Sequence, residues 1–391
     1  MKEPGNKAIL FRKKFCFISL LLHFCAMGKL VYNNKKAVFF KALKVDVEQY
    51  FSERNIRKTG DWRLYLKSLI LILSASAMYI FLITGNYPAL TGVAVSALLG
   101  FVLSGIGFNI MHDANHGSYS SKKWVNDLMG LTLNALGSNA FIWKQKHNVI
   151  HHTYTNVDGI DDDIAKSPLI RQSSTQVWKP AHRIQHFYLW VIYALSSILW
   201  IFVTDFVKYG TKKIYTTELQ KMSFKEHFIF WFSKVLYIVF YVVIPIAFVG
   251  TQKWVIGFLC MHITLGLSLA VVFQLAHVVE ETEFAFCGDD DVIIENEWAV
   301  HQIKTTANFA PGSKFITWFV GGLNFQIEHH LFPRISHIHY PAISKIVQAK
   351  CKEFGIQYNS MPTMGNAIAS HYRHMRSLGA DMEPAVKTPL T

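Results

Sequence analysis

The chain has 391 residues, of which 51% are hydrophobic and only 17% charged. Soluble domains carry about a quarter charged residues, so this composition excludes disorder, a secreted disulfide scaffold and an ordinary soluble enzyme. The 39 Lys and Arg against 26 Asp and Glu give a net charge of +13, and 18 histidines are far more than packing alone asks for. An uncoordinated imidazole is costly to bury, so metal chemistry is raised at once. The five cysteines form no Cys-x-x-Cys pair, which excludes a cysteine-ligated zinc ribbon or iron–sulfur cluster.

The N-terminus opens on a basic patch, Arg12-Lys-Lys14, followed by a short apolar run over 15–28. This resembles the start of a signal peptide, but no small-residue cleavage site ends it. The sequence favours Met27 as the true start, which makes 1–28 an N-terminal extension and 29–63 a basic, partly helical cytoplasmic lead-in. No charged residue occurs between Ser68 and Met111. One crossing needs about 20 residues, and Gly85-Asn-Tyr-Pro88 has turn composition. The stretch therefore predicts a helical hairpin over about 64–84 and 88–111.

A second hairpin is predicted over 228–249 and 254–279. Lys234 is the lone charge in its first arm, and Gly266, Ser268 and Ala270 form a close-packing stripe in its second. Two further apolar stretches, 130–143 and 187–204, are predicted to be interfacial. The hairpin turns contain a single basic residue, Lys253. By the positive-inside rule, both termini and the large polar segments lie in the cytoplasm. The +13 then marks topology and requires no nucleic acid.

Three histidine clusters carry the chemistry: His112-Asp-Ala-Asn-His116, His147-Asn-Val-Ile-His151-His152 and Gln326-Ile-Glu-His329-His330. On a helix, residues i and i+4 share one face about 6 Å apart, so paired imidazoles can converge on one ion. To share a site, all three clusters must lie on one side of the bilayer. The chain must therefore cross an even number of times between His152 and Gln326. Three apolar stretches lie there, and 187–204 is the one expected not to cross. Imidazole ligands without thiolates suit zinc, copper, iron or nickel, and this many of them suits two ions.

These clusters resemble the three histidine boxes of the integral-membrane fatty acid desaturases. The surrounding Asn324-Phe-Gln-Ile-Glu-His-His-Leu-Phe-Pro and Ile335-Ser-His-Ile-His-Tyr-Pro agree, and the Gln at the head of the third box is similar to the front-end (Δ5/Δ6) and sphingolipid branch. The resemblance implies an all-α membrane protein with four spans in two hairpins. A cytoplasmic helical cap would hold a His-rich dinuclear site, and the catalytic domain would occupy about 64–357, with 358–391 as a tail. It implies two iron ions and O2, the iron pair itself being catalytic, with ligands His112, His116, His147, His151, His152, His329 and His330. A further ligand is implied at the end of the fourth span, where His277 stands. Gln326 and His301 are candidates for metal or supporting roles, as are Asp113 and Glu328.

The aspartates 158, 161, 162 and 163 could accept the second N–H of an imidazole. His182 and His186 read as structural or as headgroup contacts, His337 and His339 as shaping the cap, and His262 as a hydrogen bond between helices. No His-Pro-Gly-Gly motif of a fused cytochrome b5 domain is present. Electrons are thus expected from a separate cytochrome b5 or ferredoxin, and the substrate is a long-chain acyl-CoA or acyl-lipid drawn from the bilayer. Two other activities fit parts of the pattern. A hydroxylase on the same scaffold would add an oxygen instead of removing two hydrogens. A divalent-metal transporter would need its ligands near the bilayer midplane, whereas these lie at helix ends.

Overall fold

The computed structural model describes residues 30–34, 37–165, 168–287 and 292–380; the extension 1–28 lies outside them. Leu30–Tyr32 is a short strand, followed by helix α1, Phe39–Glu53. The buried face of α1 is Phe39, Leu43, Val47 and Phe51, a strict i, i+4 stripe. It packs on Phe325, Ile327 and Leu331 of the third histidine segment. Burial of four such side chains contributes roughly 8 kcal/mol. The lead-in is therefore a buttress beneath the third box.

Five helices are long and apolar enough to cross a membrane: α2 (Trp62–Thr84), α3 (Ala89–His116), α7 (Pro180–Thr211), α8 (Phe224–Val249) and α9 (Thr251–His277). Four coincide with the expected hairpin arms. Asp61 caps α2 by accepting from the Arg63 amide at 2.9 Å, and the two hairpin turns fall at 85–88 and at Gly250, whose φ is +80°. Helices α3, α7 and α9 approach closely through small residues. A Cβ on Gly266 would come within 2.6 Å of the Ala194 carbonyl oxygen in α7, so that crossing tolerates only glycine.

The region expected as one interfacial helix over 130–143 is instead three short pieces, α4 (Lys123–Gly130), α5 (Thr132–Ala135) and α6 (Ala140–Lys144). Asn134, Gly137 and Asn139 break it, because their side chains or backbone serve as caps; Asn139 accepts from the Ile142 amide at 3.0 Å. The second apolar stretch lies inside the much longer α7. After α9, four short helices follow: α10 (Trp298–Lys304), α11 (Lys314–Phe319), α12 (Gln326–Leu331) and α13 (Tyr340–Glu353).

The segment expected as a tail is helical from Met364 to Ala380 (α14). Its backbone carbonyls satisfy buried donors: Arg171 donates to Leu378 O at 2.8 Å, Gln185 to Met375 O at 2.8 Å and Trp178 to Gly379 O at 2.8 Å. An unpaired buried guanidinium is costly, which explains why α14 is docked here. Short strand pairs join distant segments, including Leu30–Tyr32 with Val292–Ile294 and Asn308–Phe309 with Ser360–Met361, both parallel.

Candidate metal centre

The first box ends α3. Immediately before it, Gly107–Met111 is wound more loosely, and the His112 amide bonds the Gly107 carbonyl five residues back. The second box is not α-helical. Gln145–His151 forms a π-turn, and the His152 amide donates to the His147 carbonyl at 3.1 Å. Such turns cluster at functional sites because they re-aim side chains. Here the wider turn brings residues five apart together, with His147 and His152 ring nitrogens 3.3 Å apart. The third box lies on α12, and His277 is the last residue of α9.

These elements bring all eight expected histidines into one buried cluster. His112, His116, His147 and His329 form one group whose nitrogens lie within 4.8 Å of one another. His151, His277 and His330 form another, and His152 joins His329 and His330 in a third between them. The first two groups adjoin, with the His147 and His151 ring centroids 5.2 Å apart and those of His329 and His330 5.5 Å apart. Burial, followed by repulsion from neighbouring imidazoles, pushes His147, His152, His329 and His330 well below the usual imidazole range. They are therefore neutral near pH 7, the form that ligates metal. The buried Nε2 atoms of His116, His151 and His329 have no hydrogen-bond partner. A buried polar atom left unpaired is costly, and a cation between the two groups would satisfy all three. The donor set of the pocket thus fits a pair of imidazole-ligated ions.

The outer ring nitrogens are held from behind. His151 Nδ1 meets Asp161 Oδ2 at 2.9 Å, His330 Nδ1 donates to Gln302 Oε1 at 2.8 Å and His329 Nδ1 lies 3.2 Å from the Tyr340 hydroxyl. These bonds select the tautomer that points Nε2 inward. Asp161 was anticipated; Gln302 and Tyr340 were not. Tyr340 opens α13 just after the motif that follows the third box. Gln302 sits beside His301 on α10, so the signal drew attention to the wrong member of that pair.

Gln326 lies inside the cluster, its side-chain amide 3.0 Å from His277 Nε2 and 3.3 Å from His330 Nε2. The other candidates point elsewhere. His301 bonds the Thr155 carbonyl at 2.9 Å, one shell out. Asp113 accepts from Ser336 at 2.7 Å and pairs with His337 at 3.0 Å. Glu328 faces the opposite side of α12, accepting from Asn308 at 2.7 Å and Tyr358 at 2.9 Å, and burial pushes its carboxyl up to about 7. Neither carboxylate touches the histidines, because residues adjacent in a helix point about 100° apart. Of the remaining aspartates, Asp163 lies near His147 and His151, Asp162 pairs with Lys208 at 2.6 Å, and Asp158 accepts from Thr175. His262 bridges helices as expected, 3.0 Å from Ser197 and 2.8 Å from Tyr237.

An apolar cavity of about 240 Å³ runs up to this cluster, touching His112, His147 and Gln326. Phe108, Met111, Leu199, Leu269 and Phe273 form much of its wall. One end is charged, with Lys146 and Lys208 set against Asp162 and Asp163. A largely apolar space lined in part by the histidine cluster suits a hydrocarbon chain.

The family model described as "Fatty acid desaturase" matches residues 86–362. The chain is 36% identical over 359 residues to the sn-1 linoleoyl-lipid 6-desaturase of Arthrospira platensis, covering 91% of this chain and 97% of that protein. It is 34% identical over 346 residues to the protein of the same name from Synechocystis, covering 88% and 96%. It is 36% identical over 346 residues to the acyl-lipid (8-3)-desaturase of Physcomitrium patens, covering 87% and 72%. With three histidine segments gathered at the end of an apolar cavity in an integral membrane protein, this chain belongs to the fatty acid desaturase family, as an oxidoreductase of its front-end branch.

Proposed function

We propose that the protein places a cis double bond near the carboxyl end of a long acyl chain, using O2 and a pair of iron ions. The observation that carries this reading is the apolar cavity that reaches a cluster of eight buried histidines. His112, His116, His147 and His329 would hold one ion. His151, His277 and His330 would hold the other, with Gln326 beside them and His152 between the two. Bound iron supplies the oxidising chemistry, with O2 and two external electrons, that removes two hydrogens from an unactivated methylene pair. The chain's own residues do the rest. The cavity wall excludes water and aligns the acyl chain, while Asp161, Gln302 and Tyr340 hold the ring orientations.

The charged end of the cavity supports the front-end position. The Asp163 carboxylate lies within 4.8 Å of the His147 and His151 nitrogens. A head group held there leaves only a short run of carbons before the metals. Lys146 and Lys208 are balanced by Asp162 and Asp163, so this end has no surplus positive charge for the phosphates of CoA. An acyl-lipid is the better fit, as the names of the relatives suggest. Electrons would come from a separate cytochrome b5 or ferredoxin, attracted to the basic face.

The topology that goes with this reading has four crossings, by α2, α3, α8 and α9, and a cytoplasmic site. Helix α7 would lie along the membrane interface without crossing it. In support, its first turns meet the cap through His182 and Gln185, and its last turn meets the cap again through Lys208 and Asp162. The catalytic domain would span about 64–357, with α1 and α14 bracing it.

Expression in a host with a compatible reductase, followed by mass spectrometry of total fatty acids, tests the reaction. The expected product is lighter than its precursor by two hydrogens; a product heavier by one oxygen would make the protein a hydroxylase. Asp161→Asn tests the supporting shell. It keeps one acceptor for His151 but loses the charge, and removal of such a partner weakens metal binding roughly 10–100-fold. Iron retained against a chelator should fall by an amount near the low end of that range.

A further inference from the structure

A second concavity, of about 620 Å³, opens where the start of α2 meets the segment from Pro311 to Trp318. Arg63, Lys67 and Lys314 line it, and among the described residues no Asp or Glu does. Its remaining walls are largely apolar or aromatic, with Trp62, Leu66, Ile70 and Trp318 prominent. We propose that this groove binds an anionic phospholipid, its phosphate on Arg63 and Lys314 above Lys67 and one acyl chain along Leu66 and Ile70.

Lys67 is the starting point. Its side chain is only 6% exposed, at the end of a helix that is apolar for the next four turns. It donates to Asn109 Oδ1 at 2.7 Å and to the Trp318 carbonyl at 3.1 Å, and contacts His337 Nε2 at 2.9 Å. All three partners are uncharged acceptors, and among the described residues no carboxylate lies within ion-pair distance of it. A cation buried at the membrane boundary with only neutral direct partners is incompletely compensated, since Asp113 is reached only through His337. Arg63 is shared with Asp61 at 2.8 Å, while Lys314 is exposed and makes no ion pair among the described residues. The groove therefore presents a surplus of positive charge at one end.

The other end is hydrocarbon-facing. Leu66 and Ile70 are 48% and 45% exposed, and at i, i+4 they stack along the outward face of α2. Trp62 and Trp318 flank the groove, and indoles are enriched at membrane interfaces. A phosphate above and an acyl chain below match both ends at once. A soluble acidic protein would satisfy the cations but leave the apolar floor uncovered. The groove also touches the catalytic side: His337, which contacts Lys67, pairs with Asp113 at 3.0 Å, next to His112. A bound lipid would thus brace the first box segment from behind.

The test is thermal unfolding of the purified protein in phosphatidylcholine nanodiscs containing increasing phosphatidylglycerol. The midpoint should rise and saturate. Arg63→Gln and Lys314→Gln should each raise the half-saturating phosphatidylglycerol fraction about fivefold, since a basic side chain near an anionic membrane contributes about 1 kcal/mol. Both side chains are exposed, so the midpoint in pure phosphatidylcholine should not move. Lys345→Gln, outside the groove, should leave the titration unchanged. The proposal is overturned if the groove variants titrate like the parent, or if Lys345→Gln shifts the curve equally. It is also overturned if inorganic phosphate in detergent stabilises as much, or if the variants lose only turnover with the electron-donor protein.

Discussion

His151→Ala is expected to abolish product formation and to lower iron content, with helical content by circular dichroism unchanged. The imidazole is buried, its Nδ1 held by Asp161 and its Nε2 aimed without partner at His277 and His330. Alanine removes a donor to the metal and leaves a small polar void that water can fill. Removing a supporting partner costs roughly 10–100-fold in metal affinity, so the loss in this variant should exceed that of Asp161→Asn. His186→Ala, far from the cluster, is the matched control and should retain both iron and activity. Full iron content and normal desaturation in His151→Ala would remove His151 from the ligand set.

The second large effect concerns stability. Lys234, the lone charge in its apolar stretch, is bonded to Asp205 Oδ2 at 2.9 Å and to the carbonyls of Gly137 and Ile201 at 2.7 and 2.9 Å. Both side chains are nearly inaccessible, at 7% and 1%. Asp205 also accepts from Ser138 at 3.0 Å and from the Trp200 indole at 3.1 Å, and Trp200 lines the acyl cavity. Breaking a buried pair by removing one partner costs about 3–5 kcal/mol, because the other charge stays buried and uncompensated. Lys234→Met should therefore lower the unfolding midpoint in detergent by roughly 10 °C. Combining it with Asp205→Leu should recover much of that loss, since an apolar pair of similar volume can replace an ion pair. If the double variant is no more stable than Lys234→Met, the defect is packing and not an orphaned charge.

This pair also shows where reading the sequence stops. Lys234 stands out in its stretch, but Asp205 is 29 residues away in a segment that carries no mark of pairing. The same holds around the histidine cluster. Asp161 lies ten residues from His151 in a visibly acidic loop and could be anticipated. Gln302 and Tyr340 are ordinary residues whose roles appear only once α10 and α13 are packed against α12. Glu328 and Asp113 looked equally eligible from their positions, and their side chains point away.

By itself the sequence determined four of the five long apolar helices and the three histidine segments. These follow from local quantities: the length of an apolar run against bilayer thickness and the spacing that sets one helical face. Only the tertiary structure decided that the second box winds as a π-turn, that α1 and α14 brace the domain, and which polar side chain backs each imidazole. Those choices depend on hydrogen-bond partners tens to hundreds of residues apart. Their identity is set by satisfying every buried donor and acceptor at once, a condition no single segment expresses.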